Sequence, residues 1–273
     1  CALPISRASS LLTILLFAIS PTVVSMAEMW YPDSYIFFVS SLLIYRILST
    51  MERQKPLPSD FGLIAIFAIG VSIKHNFAFF IVLLVLFSHS QLFNSNVFSK
   101  QTIREFLTTV LSYQKFFIYS VMCFFLINFS IFFDFINFLR AINSNRKIYA
   151  VQDINFIPGT IFYVYNLFVT PLGLVGLLIL LVGVRYGWKI HRNFILQSLI
   201  FLAAFLIVAG FPKQVLSRNT NLLLPFIFIY FAFGLEFLRK LNGKAVAFVS
   251  LSALSLSISF SSFHIKKNRL QVA

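Results

Sequence analysis

The sequence predicts an all-α, polytopic membrane protein, and three observations carry that prediction. Of 273 residues, 59% are hydrophobic and only 11% are charged, whereas a soluble domain carries about 25% charged residues to cover its surface. Runs such as 116–133 and 195–210 approach the roughly 20 consecutive apolar residues that cross a bilayer as a helix. These runs are continuous, without the short alternating strands of an outer-membrane barrel.

Nine apolar segments are expected, at roughly 9–26, 34–49, 59–73, 76–92, 115–136, 161–186, 193–211, 222–239 and 245–261. Links of Gly, Pro, Ser, Asn and charge separate them, no internal repeat is evident, and 1–273 reads as a single transmembrane domain. The first segment contains Pro21 and leads into further spans, so it is not a simple signal peptide. The chain opens with Cys1 rather than Met, and a fragment is therefore expected. Cys123 lies within an apolar run; with Cys1 it makes neither a disulfide framework nor a metal spacing. The net charge of +14 is not read as nucleic-acid affinity, because the cations lie mostly in short links, as the positive-inside rule expects.

The stretch "FGLIAIFAIGVSIKHNFAFFIVLLVLF", from Phe61 to Phe87, decides the topology. A single helix through it would be about 40 Å long and would bury Lys74 at mid-membrane, a cost of several kcal/mol without a partner. A hairpin instead puts Lys74, His75 and Asn76 in a turn. It gathers Arg7, Arg46, Arg53, Lys55, Lys100, Arg104, Lys115, Arg185, Lys189, Arg192, Arg239, Lys240 and Lys244 on one face. The other face keeps only Lys74, Arg140, Arg146, Lys147, Lys213 and Arg218 before the C-terminal tail; without the hairpin the two faces come out even. The hairpin therefore fits the charge bias better.

With that topology Glu28, Asp33 and Asp153 fall on the non-cytoplasmic face, with Asp134 near it, beside cations that the same rule would thin out. An anion-handling site is expected there. For transfer of a sugar from a polyprenyl-phosphate carrier, a carboxylate such as Asp33 or Glu28 would take the acceptor's proton. Lys74, His75, Lys213 and Arg218 would hold the departing phosphate, and Arg140, Arg146, Lys147 and Asp153 would form an acceptor or headgroup loop. Asp33 is also the candidate ligand for a divalent cation, Mg or Mn.

Each residue has a plainer reading. Asp33 follows Pro32 at the start of an apolar run, a helix-capping context. Glu28 and His75 suit solvated turns, Lys74 can snorkel to the headgroups, and "FPKQVLSRN" can be a basic loop on lipid. The connection carrying Arg140, Arg146, Lys147 and Asp153 suits an interfacial helix with a solvated face. Glu236 and Lys240, four apart, suit a surface ion pair.

The order "SPTVVSMAEMWYPDSYIFF", "GLIAIFAIGVSIKHNFAFFIVLLVLF" and "SRNTNLLLPFIFIYFAFGLEFL" resembles C-type integral-membrane glycosyltransferases of the protein-mannosyltransferase-like and aminoarabinose-transferase-like kind. The matching positions are Ser20 with Pro21, Asp33, Gly70 with Lys74, Arg218, and Leu224 with Pro225. The resemblance implies a GT-C-like fold, a polyprenyl-phosphate-linked sugar donor, an inverting transfer to a lipid, glycan or protein acceptor, and often a divalent cation. It places the protein in a membrane, with a bacterial inner membrane as the prior, its active face periplasmic or extracellular. The family's main catalytic acid lies in a first outer loop that would precede Cys1. The Tyr that often follows the late Arg is Asn219 here. Two other classes stay open: a transporter or flippase of lipid-linked saccharides, and a non-catalytic membrane scaffold.

Overall fold

The computed structural model describes residues 5–18, 32–53, 56–88, 100–148, 160–161, 164–165, 167, 173–210 and 221–241. Every regular element among them is helical. In chain order the α-helices are α1 (Arg7–Ala18), α2 (Pro32–Glu52), α3 (Phe61–Ile73), α4 (Phe80–Ser88), α5 (Lys100–Ile127), α6 (Phe135–Ile148), α7 (Gly173–Ile190), α8 (Arg192–Gly210) and α9 (Leu224–Leu241). Short 3-10 turns at Leu57–Ser59, His75–Phe79 and Phe129–Phe132 join some of them.

Among the described residues, three stretches are long and apolar enough to cross a membrane: Val110–Ile127, Arg192–Ala209 and Asn221–Leu241. Three shorter apolar helices accompany them: Tyr35–Met51, Phe61–Ile73 and Asn76–Ser88. The stretch ending in α9 is the centre, with 78% of it buried, while only 17% of Val110–Ile127 is buried. Along α5 the exposed side chains include Leu111, Phe117, Ile118, Met122 and Leu126. A helix that turns such residues outward is stable only if lipid or another protein covers them.

Glycine sets the closest packing. The α7–α9 pair is the most extensive in the fold, and Gly183 and Gly234 bring the two backbones together. A Cβ on Gly183 would meet the Tyr230 carbonyl, and one on Gly234 the Ile179 carbonyl. Small residues permit this approach where dispersion, not water exclusion, drives helix association. At Gly187 an added Cβ would lie 2.9 Å from Ile195 and 3.1 Å from Phe233, so the same face also admits α8.

Several buried polar groups bond within the bundle, as hydrocarbon surroundings favour, while Ser120 Oγ and Gln197 Oε1 are buried without a partner. Tyr230 donates to Ser198 Oγ at 2.7 Å, and Ser198 donates to the Phe194 carbonyl at 2.6 Å. Tyr113 donates to the Leu84 carbonyl at 2.8 Å, and Gln197 Nε2 to the Leu86 carbonyl at 2.8 Å. Glu236, 2% exposed, accepts from Ser9 Oγ at 2.9 Å, the Ser6 N–H at 3.2 Å and Arg239 Nη2 at 2.7 Å. The expected Glu236–Lys240 surface pair is therefore replaced: Glu236 clamps α1 to α9, and Lys240 donates to Tyr186 at 2.7 Å. The reason is competition, since three donors reach the carboxylate in a sheltered position that Lys240 does not share.

Helix directions follow from these contacts. Phe87 meets Phe194 and Phe79 meets Phe205, so α4 and α8 are antiparallel. Phe201 meets Phe226, while His191 meets Phe233, so α8 and α9 are antiparallel as well. Phe37 near the start of α2 meets Phe228 near the start of α9, so α2 runs with α9, and its other end, with Arg46 and Thr50, meets Asp60 just before α3. One end of the bundle thus carries Arg7, Arg46, Arg53, Arg185, Lys189, Arg192, Arg239 and Lys240. The other end receives the start of α2, the α3–α4 junction, the end of α8 and the start of α9.

Candidate functional site

The residue that defines the site is the one at which the apolar run breaks. Lys74 has extended backbone angles (φ −152°, ψ 120°), and its N–H closes the last turn of α3 on the Gly70 carbonyl at 2.9 Å. Its own carbonyl accepts from the Phe77 N–H at 2.9 Å, starting the His75–Phe79 turn. The turn folds Phe77 back onto α3, where its ring covers Gly70 and lies 6.1 Å from Phe67. Residues seven apart on one helix stand about 10 Å apart along the axis, so this contact requires the chain to reverse. The ring is fully buried and stacks next on Phe80 at 4.6 Å. Only glycine at 70 leaves room for it.

The α3 arm has 13 residues and so a length of about 20 Å, against a hydrocarbon core of about 30 Å. Lys74, half-buried, therefore stands below the far headgroup level if Asp60 marks the near one, at a depth its long side chain can bridge. Beside it, Asn128 ends α5 and donates Nδ2 to Ser72 Oγ at 2.7 Å, which ties the junction to the neighbouring helix. Asn128 Nδ2 also donates to the Phe124 carbonyl at 2.9 Å, so Asn128 is a packing residue.

The expected site residues divide three ways. Glu28, Asp153, Lys213 and Arg218 lie outside the described residues. Asp33, His75, Arg146 and Lys147 have described backbone only. Asp33 sits in the first turn of α2, one residue inside its start at Pro32, where the helix dipole favours a carboxylate; His75 opens the 3-10 turn, and Arg146 and Lys147 lie in the last turn of α6. Lys74 and Arg140 are described fully. Arg140 is exposed and donates to Asn137 Oδ1 at 3.2 Å, while Asn137 donates to Asp134 Oδ2 at 2.9 Å. The topology brings the start of α2 and the Lys74 turn to the same end of the bundle, and the expected Asp33–Lys74 geography is consistent with that. Among the described residues no three of His, Cys, Asp and Glu come together.

Sequence reasoning missed a second polar site, at the opposite end. Asp60 caps α3, accepting from the Leu63 N–H at 3.2 Å, and takes Arg46 Nε at 3.1 Å, Arg46 Nη2 at 3.1 Å and Thr50 Oγ1 at 2.7 Å. Burial pushes its carboxyl up, but these donors and the Arg46 charge outweigh that and hold it below the ordinary carboxylate range. The signal was present in "PSDFG": an Asp just before an apolar helical run is a capping signature.

No family model, curated protein or solved structure matches this chain.

Proposed function

We propose that this chain is a membrane glycosyltransferase that moves a sugar from a polyprenyl-phosphate-linked donor to an acceptor on the non-cytoplasmic face. In this reading it has a GT-C-like fold with about nine spans and works in a bacterial inner membrane. The observation that carries it is the reversal at Lys74. With it, the Asp33 end of α2 and the Lys74 turn share one end of the bundle, opposite the arginine-rich end that the positive-inside rule makes cytoplasmic.

In this reading the acceptor hydroxyl attacks the anomeric carbon from the face opposite the phosphate. The new C–O bond forms as the bond to phosphate breaks, and the electron pair leaves with the polyprenyl phosphate. The hydroxyl proton passes to a carboxylate, Asp33 or Glu28. Lys74, with His75, Lys213 and Arg218, offsets the charge that develops on the phosphate. A recessed lysine suits a donor whose tail stays in lipid and whose headgroup cannot rise far from it. Arg140, Arg146 and Lys147 on α6 meet the acceptor or the headgroups.

The test is transfer by the complete protein in proteoliposomes, with a panel of polyprenyl-phosphate sugars and lipid, glycan and peptide acceptors. Transfer should appear and should fall by about a hundredfold or more in Asp33→Asn and Lys74→Ala. No transfer to any acceptor, or transbilayer flipping of the donor that Asp33→Asn leaves unchanged, would overturn the reading.

A further inference from the structure

A second ligand site lies at the opposite end, and it does not depend on the reading above. The corner between α2 and α3 encloses a cavity of about 230 Å³, lined in part by Arg46, Ser49, Thr50, Arg53, Ser59 and Gly62. A water takes up roughly 30 Å³, so the cavity holds a tetrahedral anion with room for hydration. Arg46 has Nε and Nη2 fixed on Asp60, which presets its guanidinium plane and leaves Nη1 for a ligand. Gly62 makes this possible, because a Cβ there would stand 3.0 Å from Arg46 Nε. The Asp60 carboxylate also lines the cavity, but it is paired with Arg46 and 8% exposed. Arg53, exposed in the turn after α2, adds a positive charge that no ion pair among the described residues neutralises.

The second observation is what leads into the cavity. Tyr35, Phe38, Leu42 and Tyr45 are exposed on α2, and their spacing of three and four places them on one face. Ser49 continues that stripe one turn further and lines the cavity. Phe61, 70% exposed, stands on the rim. An apolar track along a helix in contact with hydrocarbon, ending in two arginines at the membrane boundary, matches an amphiphile with an acyl chain and an anionic head.

We propose that the α2–α3 corner binds the phosphate headgroup of an anionic lipid, with Arg46 and Arg53 on the phosphate and an acyl chain along Tyr45, Leu42 and Phe38. Arg53 can meet two phosphate oxygens at once through its planar fork, while Arg46, whose Nε and Nη2 hold Asp60, adds Nη1.

The purified complete protein in detergent is titrated with dioctanoyl phosphatidic acid, dioctanoyl phosphatidylcholine and inorganic phosphate, with binding read by native mass spectrometry. Phosphatidic acid should bind, and about tenfold more weakly to Arg53→Ala and Arg53→Gln. Tyr45→Ala should weaken phosphatidic acid severalfold through lost apolar contact. Arg53 is exposed and outside the helices, so both of its variants should keep the wild-type helical signal and Tm. Phosphatidylcholine and inorganic phosphate should bind far more weakly. Unchanged affinity in both Arg53 variants would overturn the proposal. So would equal binding of phosphatidylcholine, or of inorganic phosphate, which would make this a soluble-anion site.

Discussion

Gly70→Ala is expected to disturb the turn that sets Lys74, and the size of the effect follows from the packing. The added methyl would overlap the Phe77 ring. That ring is fully buried and held between Phe67 at 6.1 Å and Phe80 at 4.6 Å, so it has no empty side to swing toward. Overpacking of this kind costs about 1–3 kcal/mol. Replacing glycine inside a helix recovers about 1 kcal/mol, leaving a net loss of up to about 2 kcal/mol. Phe77→Leu alone should cost a similar amount through the cavity it opens. The double variant should be less destabilised than the sum of the two, because the smaller side chain admits the methyl; the coupling should be about 1 kcal/mol. Thermal unfolding in detergent measures all four proteins. In the transferase assay, Gly70→Ala should lower turnover and the double variant should restore part of it. A stable Gly70→Ala, or strictly additive effects, would refute the packing reasoning.

Other predictions follow from the same contacts. Gly234→Ala and Gly183→Ala place a methyl against backbone carbonyls that no rotamer change can relieve, so each should destabilise by about 3 kcal/mol in the same unfolding assay. Asp60→Asn should cost about 1–3 kcal/mol, since Arg46 and Thr50 lose a charged acceptor. Because the folded Asp60 carboxyl lies below its ordinary range, its stabilisation is complete above the unfolded value, about 4, and is lost as pH falls through the lower folded value. The wild type should therefore lose Tm below about pH 4 more steeply than Asp60→Asn. Ser9→Ala should lower Tm by loosening α1 from Glu236, an effect of about 1 kcal/mol.

Much of the helical layout was legible in apolar runs. The segments expected at 34–49, 59–73, 193–211 and 222–239 correspond to α2, α3, α8 and α9, because an uninterrupted hydrocarbon run bounded by Pro, Gly or charge admits little else. The run expected at 115–136 was displaced. Its helix starts at Lys100, since polar residues on the water side continue the same hydrogen-bond ladder, and it stops before Asn128. The run at 245–261 lies outside the described residues. The Lys74 turn was legible because burial of a lone ammonium is too costly in a membrane. What decides Glu236 was not, for its donors Ser6 and Ser9 come from more than 200 positions away in the chain. The cavity beside Arg53 was hidden for another reason: its residues are close in the chain, but it exists only once α2 and α3 meet at the Asp60 cap.

Sidedness of single cysteines tests the central claim most directly. In a background with Cys1 and Cys123 replaced by Ser, Asp33→Cys, Lys74→Cys, Arg53→Cys and Lys240→Cys are labelled in oriented membranes with a membrane-impermeant maleimide. Positions 33 and 74 should react from the same, extracytoplasmic side, and positions 53 and 240 only after the membrane is opened. Labelling of 33 and 74 from opposite sides would contradict the account.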